Sequence, residues 1–229
     1  MIRENLIRIQ HHIQEACEKS HRKPSDVSII AVTKTIPLAI LQANLPVFLE
    51  QGISVFGENR VQELLEKYDG LAAAGINWHM IGNLQRNKVK YIADKVALIH
   101  SLDGIKLATE INRIGEKKAV ILDTLIEVNI AGENSKHGVS PDQLMALANA
   151  CGVLKNLRIK GLMTVAPFVS NPDDNRKHFK QMYTLFQQLK EDFPDTEHLS
   201  MGMTGDYMVA VEEGATMVRI GTGIFGNRI

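Results

Sequence analysis

The sequence predicts an α/β protein in which eight parallel strands, each followed by a helix, close into a single (β/α)₈ TIM barrel. Short strand-like runs alternate with longer helix-like runs, and this alternation requires parallel strands joined by crossovers. Eight such units within 229 residues favour a closed barrel. The turn after the first strand, TKTIP at 33–37, has no glycine, whereas an open doubly wound sheet usually carries a Gly-rich turn there.

An extra helix is expected at residues 1–20, before the barrel. Apolar residues recur there in steps of three and four, at Ile2, Leu6, Ile9, Ile13 and Ala16. This spacing places them on one face of an amphipathic helix. Charged residues interrupt the whole segment, so it lacks the apolar run of a signal peptide or membrane anchor.

The remaining elements follow in order. Strands are predicted at 27–33, 54–57, 77–82, 96–101, 124–130, 158–165, 197–202 and 216–221. Helices are predicted between them at 37–51, 58–73, 84–95, 103–116, 140–151, 173–192 and 204–213. Several of these open with a capping residue, such as Asp103 or Asn171 followed by Pro172. No linker rich in proline, glycine or serine divides the chain, so we expect one domain over residues 1–229.

The composition is that of a globular protein from a reducing compartment. Lysine plus arginine equals aspartate plus glutamate at 26 each, so no overall field recruits nucleic acid or an anionic membrane. The two cysteines, Cys17 and Cys151, fit neither a disulfide framework nor a metal-ligand pair. We therefore expect a cytoplasmic protein with no nucleic-acid or membrane partner.

Lys34 ends the first predicted strand, in the stretch SIIAVTKTIP. A lysine buried at such a position loses solvation, which favours the neutral, nucleophilic amine. The competing interpretation is a lysine that simply reaches solvent from the strand end. Because such barrels gather their reactive groups at the carboxyl ends of the strands, Lys34 is a candidate nucleophile.

The turns at the last two predicted strands suit a phosphate. Gly221, Thr222 and Gly223 follow the eighth strand, and Ser200 with Gly202 lies at the seventh. Small residues let backbone N–H groups approach an anion, and the loops after strands seven and eight are the usual phosphate site of this barrel class. Glycines that serve tight turns between strand and helix are the alternative explanation.

Arg219 lies inside the otherwise apolar eighth strand. A buried guanidinium keeps its charge and needs a partner. That partner is either a carboxylate inside the barrel, such as Glu58 or Asp206, or a ligand across the barrel mouth. Together, the amine and the phosphate cradle imply a ligand with an aldehyde and a phosphate. Pyridoxal 5′-phosphate meets this description, and so do some sugar phosphates of Schiff-base aldolases.

Seven motifs run in order through nearly the whole chain: AVTKT, FGEN, WHMIGNLQRNK, NIAGENSKHG, GLMTVAP, LSMGMTGD and MVRIGTGIFG. Together they resemble the pyridoxal phosphate homeostasis protein family. The resemblance implies a fold like the N-terminal barrel domain of alanine racemase, with pyridoxal 5′-phosphate held as an aldimine on Lys34. It also implies phosphate contacts from Ser200, Gly221 and Thr222, and an Arg219 that faces the pyridine nitrogen.

The same resemblance implies that Asn59, His79 and Met163 surround the cofactor. For His79, a packed and hydrogen-bonded core histidine is the alternative, because alternate residues of its strand point inward. Lys136 and His137 belong to a loop that fits a solvated surface, and we do not assign them to the site.

The function implied by the resemblance is cofactor homeostasis. The protein would bind and exchange pyridoxal 5′-phosphate without strong catalytic turnover, with cofactor-dependent apoenzymes as transient partners. The alternative is an amino-acid racemase, which needs an acid/base group on each face of its substrate. Tyr207 is the only tyrosine near the predicted rim, and an amphipathic residue opening the next helix is its other interpretation. A Schiff-base aldolase would need a carboxylate or tyrosine close to the amine, which the sequence does not identify.

Overall fold

Eight parallel strands close into a barrel in the computed structural model, which describes residues 1–133 and 137–226. Lys136 therefore lies outside the described residues. Each strand pairs with the next along the chain, and β8 pairs with β1. The strands are β1 (Ser28–Val32), β2 (Val55–Glu58), β3 (Asn77–Met80), β4 (Leu98–Leu102), β5 (Leu122–Glu127), β6 (Leu157–Met163), β7 (His198–Met203) and β8 (Met217–Ile220). The predicted fold class is confirmed.

Nine α-helices lie in the described part of the chain. They are α1 (Ile2–Lys19), α2 (Leu38–Glu50), α3 (Val61–Gly70), α4 (Val89–Ile92), α5 (Ile105–Lys118), α6 (Leu144–Gly152), α7 (Arg176–Asp192), α8 (Tyr207–Glu212) and α9 (Thr222–Phe225). The helix expected at 1–20 is α1. The stretch predicted as a helix at 84–95 is shorter, a 3₁₀ turn at Arg86–Lys88 followed by α4, and α9 is not among the predicted helices. Within the two described ranges, no helix is long and apolar enough to cross a membrane.

The apolar face of α1 packs on α8 and α9 at one side of the barrel. Polar contacts join the same elements. The Asn5 amide donates to the Ile224 carbonyl oxygen at 2.9 Å, and His12 Nδ1 lies 2.8 Å from the Tyr207 hydroxyl. Since each fully buried aliphatic side chain contributes about 1.5–3 kcal/mol, burial of this face holds the helix on the barrel.

Side chains fill the inside of the barrel. A small buried cluster there comprises Ile30, Leu98, Leu125, Met163 and Met217. The larger apolar core joins the outward faces of the strands to the surrounding helices. The barrel is packed and is not a pore, so a ligand site belongs at its ends.

Gly161 accommodates a break in the pairing of β5 with β6. Thr124 pairs with Ile159, and the next residue, Leu125, pairs with Gly161, so the register shifts between them. Gly161 has a φ of 150°, and a Cβ at this position would lie 1.8 Å from the His198 carbonyl oxygen on β7. Only a residue without a Cβ fits this close approach of neighbouring backbone.

Gly161→Ala is expected to lower the free energy of unfolding by about 3 kcal/mol or more, because β7 must move to admit the methyl group. Gly104→Ala is the control, since an added Cβ there meets no described atom within 4 Å beyond its chain neighbours. The control is expected to cost less than about 1 kcal/mol. Urea unfolding followed by circular dichroism measures both, and equal stability of the two variants would contradict this account.

Candidate functional site

A cavity of about 390 Å³ opens at the carboxyl ends of β1, β2, β7 and β8. Its described lining consists of Val32, Lys34, Asn59, Ile81, Val165, Met203, Thr204, Gly205, Arg219, Gly221 and Thr222. This volume is within the range of small-molecule sites. A larger cavity of about 620 Å³ lies at the amino ends of β1 and β2, but none of the described residues lining it is a lysine, arginine, aspartate or glutamate. The cavity of about 390 Å³ is the candidate site because it lies at the carboxyl ends of the strands, where such barrels gather their reactive groups, and because Lys34 and Arg219 line it.

Five of the eight predicted site residues meet in this cavity. They are Lys34, Asn59, Arg219, Gly221 and Thr222. The other three, His79, Met163 and Ser200, are buried in the barrel and do not line it.

Two polar side chains reach the cavity from the turns after β1 and β2. Lys34 is half-buried on the turn that leads into α2. Asn59 follows β2, and its Oδ1 atom is buried with no hydrogen-bond partner among the described residues. Because an unsatisfied buried acceptor costs stability, Asn59 is suited to receive a hydrogen bond from a ligand.

Arg219 is buried on β8 and is held by neutral groups. Its Nη1 donates to the Ser200 carbonyl oxygen at 3.0 Å and to the Ser200 hydroxyl at 2.7 Å, and its Nη2 donates to the Thr164 carbonyl oxygen at 2.8 Å. The two carboxylates considered from the sequence are engaged elsewhere: Glu58 with Lys67, and Asp206 with Asn175. Burial lowers the pKa of Arg219 to about 10, so the guanidinium remains charged at neutral pH.

Ser200 lies in the barrel wall behind Arg219. Its hydroxyl accepts from Arg219 and is 3.1 Å from His100 Nδ1. Strand β7 continues to Met203, so the turn that reaches the cavity begins with Thr204. The phosphate contact of Ser200 stays a prediction, and Thr204 is the hydroxyl of this motif that lines the cavity.

The turns after β7 and β8 are joined at the cavity wall. The Gly223 N–H donates to Thr204 Oγ1 at 3.2 Å. A Cβ on Gly223 would lie 2.9 Å from Ile220 Cγ2 and 3.2 Å from Thr204 Cγ2. This close approach favours glycine at position 223 and holds the Gly-Thr-Gly turn against the β7 turn.

His79 and His100 extend the hydrogen-bond network of Arg219 into the barrel interior. His79 Nδ1 lies 3.0 Å from His100 Nε2. Burial lowers the pKa of His79 to about 3 and that of His100 well below its usual value. Both rings are therefore neutral at physiological pH. The structure agrees with the interpretation of His79 as a hydrogen-bonded core histidine.

Several residues of the cavity wall are absent from the sequence-based site. Thr204 and Gly205 belong to the same LSMGMTGD motif as Ser200, and Val165 belongs to the GLMTVAP motif that contains Met163. Their motifs were recognisable, but the residue of each motif that reaches the cavity depends on where the strand ends. Met163 instead packs inside the barrel with Ile30 and its neighbours.

The charges of the cavity favour an anionic ligand. Its described lining contains two basic side chains, Lys34 and Arg219, and no carboxylate. Burial raises the pKa of the nearby Glu127 to about 7, so its negative charge is only partly present at neutral pH. Threonine hydroxyls and glycine-containing turns add hydrogen-bond donors. Among the described residues, no group of three or more His, Cys, Asp or Glu side chains is placed to hold a metal ion.

The buried His79 is expected to make the protein less stable in acid. Its pKa is about 3 in the folded state and 6.5 in the reference state, so the unfolded chain binds a proton first as the pH falls below 6.5. The stabilisation from the neutral ring is full above that pH and is lost as the pH falls toward 3. Relative to His79→Gln, the parent should lose about 1.4 kcal/mol of unfolding free energy per pH unit between about pH 6 and 4. Urea unfolding across this range measures the difference, and parallel profiles would refute it.

Comparison with known proteins assigns the chain to a family. Residues 5–228 match the family described as alanine racemase, N-terminal domain. A pyridoxal phosphate homeostasis protein of Aquifex aeolicus is 44% identical over 226 residues, covering 98% of this chain and 97% of that protein. A protein of the same name from Haemophilus influenzae is 40% identical over 232 residues, covering 99% of this chain and 96% of that protein.

A solved structure agrees with these relatives. PipY of Synechococcus elongatus, with PLP bound, matches this chain with a TM-score of 0.82 at 31% identity, covering 99% of this chain and 100% of that chain. The resemblance seen in the seven sequence motifs is confirmed. The chain belongs to the family of pyridoxal phosphate homeostasis proteins, whose barrel is of the alanine racemase N-terminal domain type.

Proposed function

We propose that this protein binds pyridoxal 5′-phosphate at the carboxyl end of its barrel and serves in the homeostasis of that cofactor. One observation carries the proposal: an amine, a guanidinium and a Gly-Thr turn line a single cavity of about 390 Å³, at Lys34, Arg219 and residues 221–222. These groups are complementary to an aldehyde, a ring nitrogen and a phosphate. Membership of the family supports the same ligand.

The residues present fit the cofactor. Lys34 would attach it covalently through the side-chain amine. Asn59 offers a buried acceptor that lacks a partner among the described residues. Thr204, Gly221 and Thr222 would hold the phosphate through hydroxyl and backbone N–H groups. When bound, the cofactor supplies an electrophilic carbon and a ring that can delocalise electrons.

Arg219 tunes the ring end of the site. It remains a charged donor at neutral pH, since its pKa is lowered only to about 10. A permanent donor opposite the ring nitrogen disfavours protonation of that nitrogen, which makes the ring a weaker electron sink. Ser200 and His79 would act through Arg219 from behind the cavity wall, and Met163 through packing.

The cavity supports binding and exchange better than racemisation. In its described lining, Lys34 and Arg219 are the ionisable side chains, whereas a racemase needs an acid/base group on each face of the substrate. Tyr207 is engaged elsewhere, 2.8 Å from His12 of α1, and burial raises the pKa of its hydroxyl. We therefore infer a carrier without strong turnover that exchanges its cofactor with apoenzymes.

We propose that this carrier acts in the cytoplasm and that residues 1–229 form one domain. Cys17 and Cys151 are buried free thiols, which fits a reducing compartment.

Lys34→Ala is expected to abolish covalent attachment. Incubation of the parent with pyridoxal 5′-phosphate and reduction with borohydride should give one adduct, which mass spectrometry maps to the peptide carrying Lys34. Lys106→Ala is the matched control, because Lys106 is exposed on α5 and outside the cavity lining. An adduct at parental yield on Lys34→Ala would mean that another lysine is used.

Incubation of the loaded protein with L-alanine is expected to give D-alanine more slowly than about 0.01 s⁻¹, against about 10 s⁻¹ for a typical enzyme. The reason is that the described cavity wall offers no second acid/base group. Chiral chromatography measures the product, with free cofactor at the same concentration as control. Turnover at an enzyme-like rate would favour the racemase.

A further inference from the structure

Side chains of β2 and α3 hold the backbone just before Lys34. Lys67 Nζ donates to the Thr33 carbonyl oxygen at 2.7 Å, and the Thr33 hydroxyl donates to Glu58 Oε1 at 2.6 Å. Lys67 Nζ also lies 2.5 Å from Glu58 Oε1, so the three residues form a closed set of contacts. The residue that precedes Lys34 is therefore fixed by both its carbonyl and its side chain.

The backbone just after Lys34 is strained and is held by the same helix. Thr35 has a φ of 65°, in the left-handed region that β-branched residues rarely adopt. Its N–H donates to Glu63 Oε2 at 2.7 Å, and Glu63 lies 3.5 Å from Lys67 Nζ. Strained residues persist only where their surroundings determine them, and they gather at functional sites.

The central ion pair of this set is buried. Glu58 is fully buried and Lys67 is 3% exposed. Burial raises the pKa of Glu58, while hydrogen bonds from Lys67 and Thr33 lower it. The other carboxylate oxygen, Oε2, has no partner among the described residues. Because desolvation offsets much of the attraction in a buried pair, such a pair is a weak source of stability. The geometry that the pair imposes on Thr33 accounts for its presence better than a gain in stability does.

We propose that Glu58, Glu63 and Lys67 form a clamp that positions Lys34 for covalent attachment of the cofactor, given the function proposed above. They are positioning residues, which act through Thr33 and Thr35 and do not line the cavity. Attachment joins the Lys34 nitrogen to the aldehyde carbon and releases the aldehyde oxygen as water. The amine must approach that carbon from a defined direction, and a small misplacement slows such reactions strongly.

Glu63→Ala tests the clamp and leaves the pair of Lys67 and Glu58 in place. The rate of borohydride-trappable attachment at Lys34 is expected to fall about tenfold or more. Glu63→Gln should restore a near-parental rate, because its amide oxygen can still accept from the Thr35 N–H. Amide hydrogen exchange of the cofactor-free protein is a second readout, and exchange at Thr35 should accelerate in Glu63→Ala but not in Glu63→Gln.

Glu197→Ala is the matched control, since Glu197 pairs with Lys160 at 2.9 Å just before β7, at the opposite end of the barrel. It should change neither readout. Parental attachment and parental exchange in Glu63→Ala would overturn the clamp, and so would an equal loss in Glu63→Gln. A parent that forms no adduct, or forms it on another lysine, would overturn the proposed function instead, and hydrogen exchange would still decide whether α3 holds Thr35.

Discussion

The pairing of β8 with β1 is the constraint on which the candidate site depends. Arg219 pairs with Ile30, so the first and last strands run side by side with their carboxyl ends at the same opening. This register brings Lys34 and Gly221 to one cavity although they lie at opposite ends of the chain. A Cβ on Gly221 would be in ordinary contact with Val32 Cβ, at 3.5 Å. Closure of the barrel, more than any local motif, therefore assembles the site.

The positive charge of Arg219 is not compensated by the groups that accept its hydrogen bonds, because those groups are neutral. They are two carbonyl oxygens and the Ser200 hydroxyl, whereas a carboxylate in their place would have cancelled the positive charge toward the cavity. Ser200 is in turn connected to His100, whose pKa is lowered by burial and by the nearby charge of Arg219. The interior thus satisfies the hydrogen bonds of the guanidinium while it leaves a positive wall for an anionic ligand.

A residue that directly follows a predicted strand could be assigned to the candidate site from the sequence, because the carboxyl ends of the strands of a closed parallel barrel meet at one opening. Lys34 was found in this way, and Asn59, which the family resemblance implied, also follows a strand and lines the cavity. How far a residue lies below the opening of the barrel is harder to predict from the sequence. This depth depends on the strand register, the strand tilt and the register shift at Gly161, which arise from pairing between distant segments. Ser200 and Met163 are buried inside the barrel, below the layer of residues that reaches the cavity. For the same reason the sequence could not tell that Glu58 pairs with Lys67 and not with Arg219.

A site built for turnover usually contains titratable groups whose environments push their pKa values apart. In this barrel the two histidines and the carboxyl group with strongly shifted pKa values, His79, His100 and Glu127, lie outside the described cavity lining. Arg219 lines the cavity, and although burial lowers its pKa to about 10, it stays charged at neutral pH. Under the function proposed above, the ionisable groups that do reach the cavity, Lys34 and Arg219, would hold the ligand, one by a covalent bond and the other by charge. Attachment of an aldehyde to a lysine is reversed by water, so the same residue can retain the ligand and release it. Retention with reversible release is what a carrier requires, and it needs no second acid/base group.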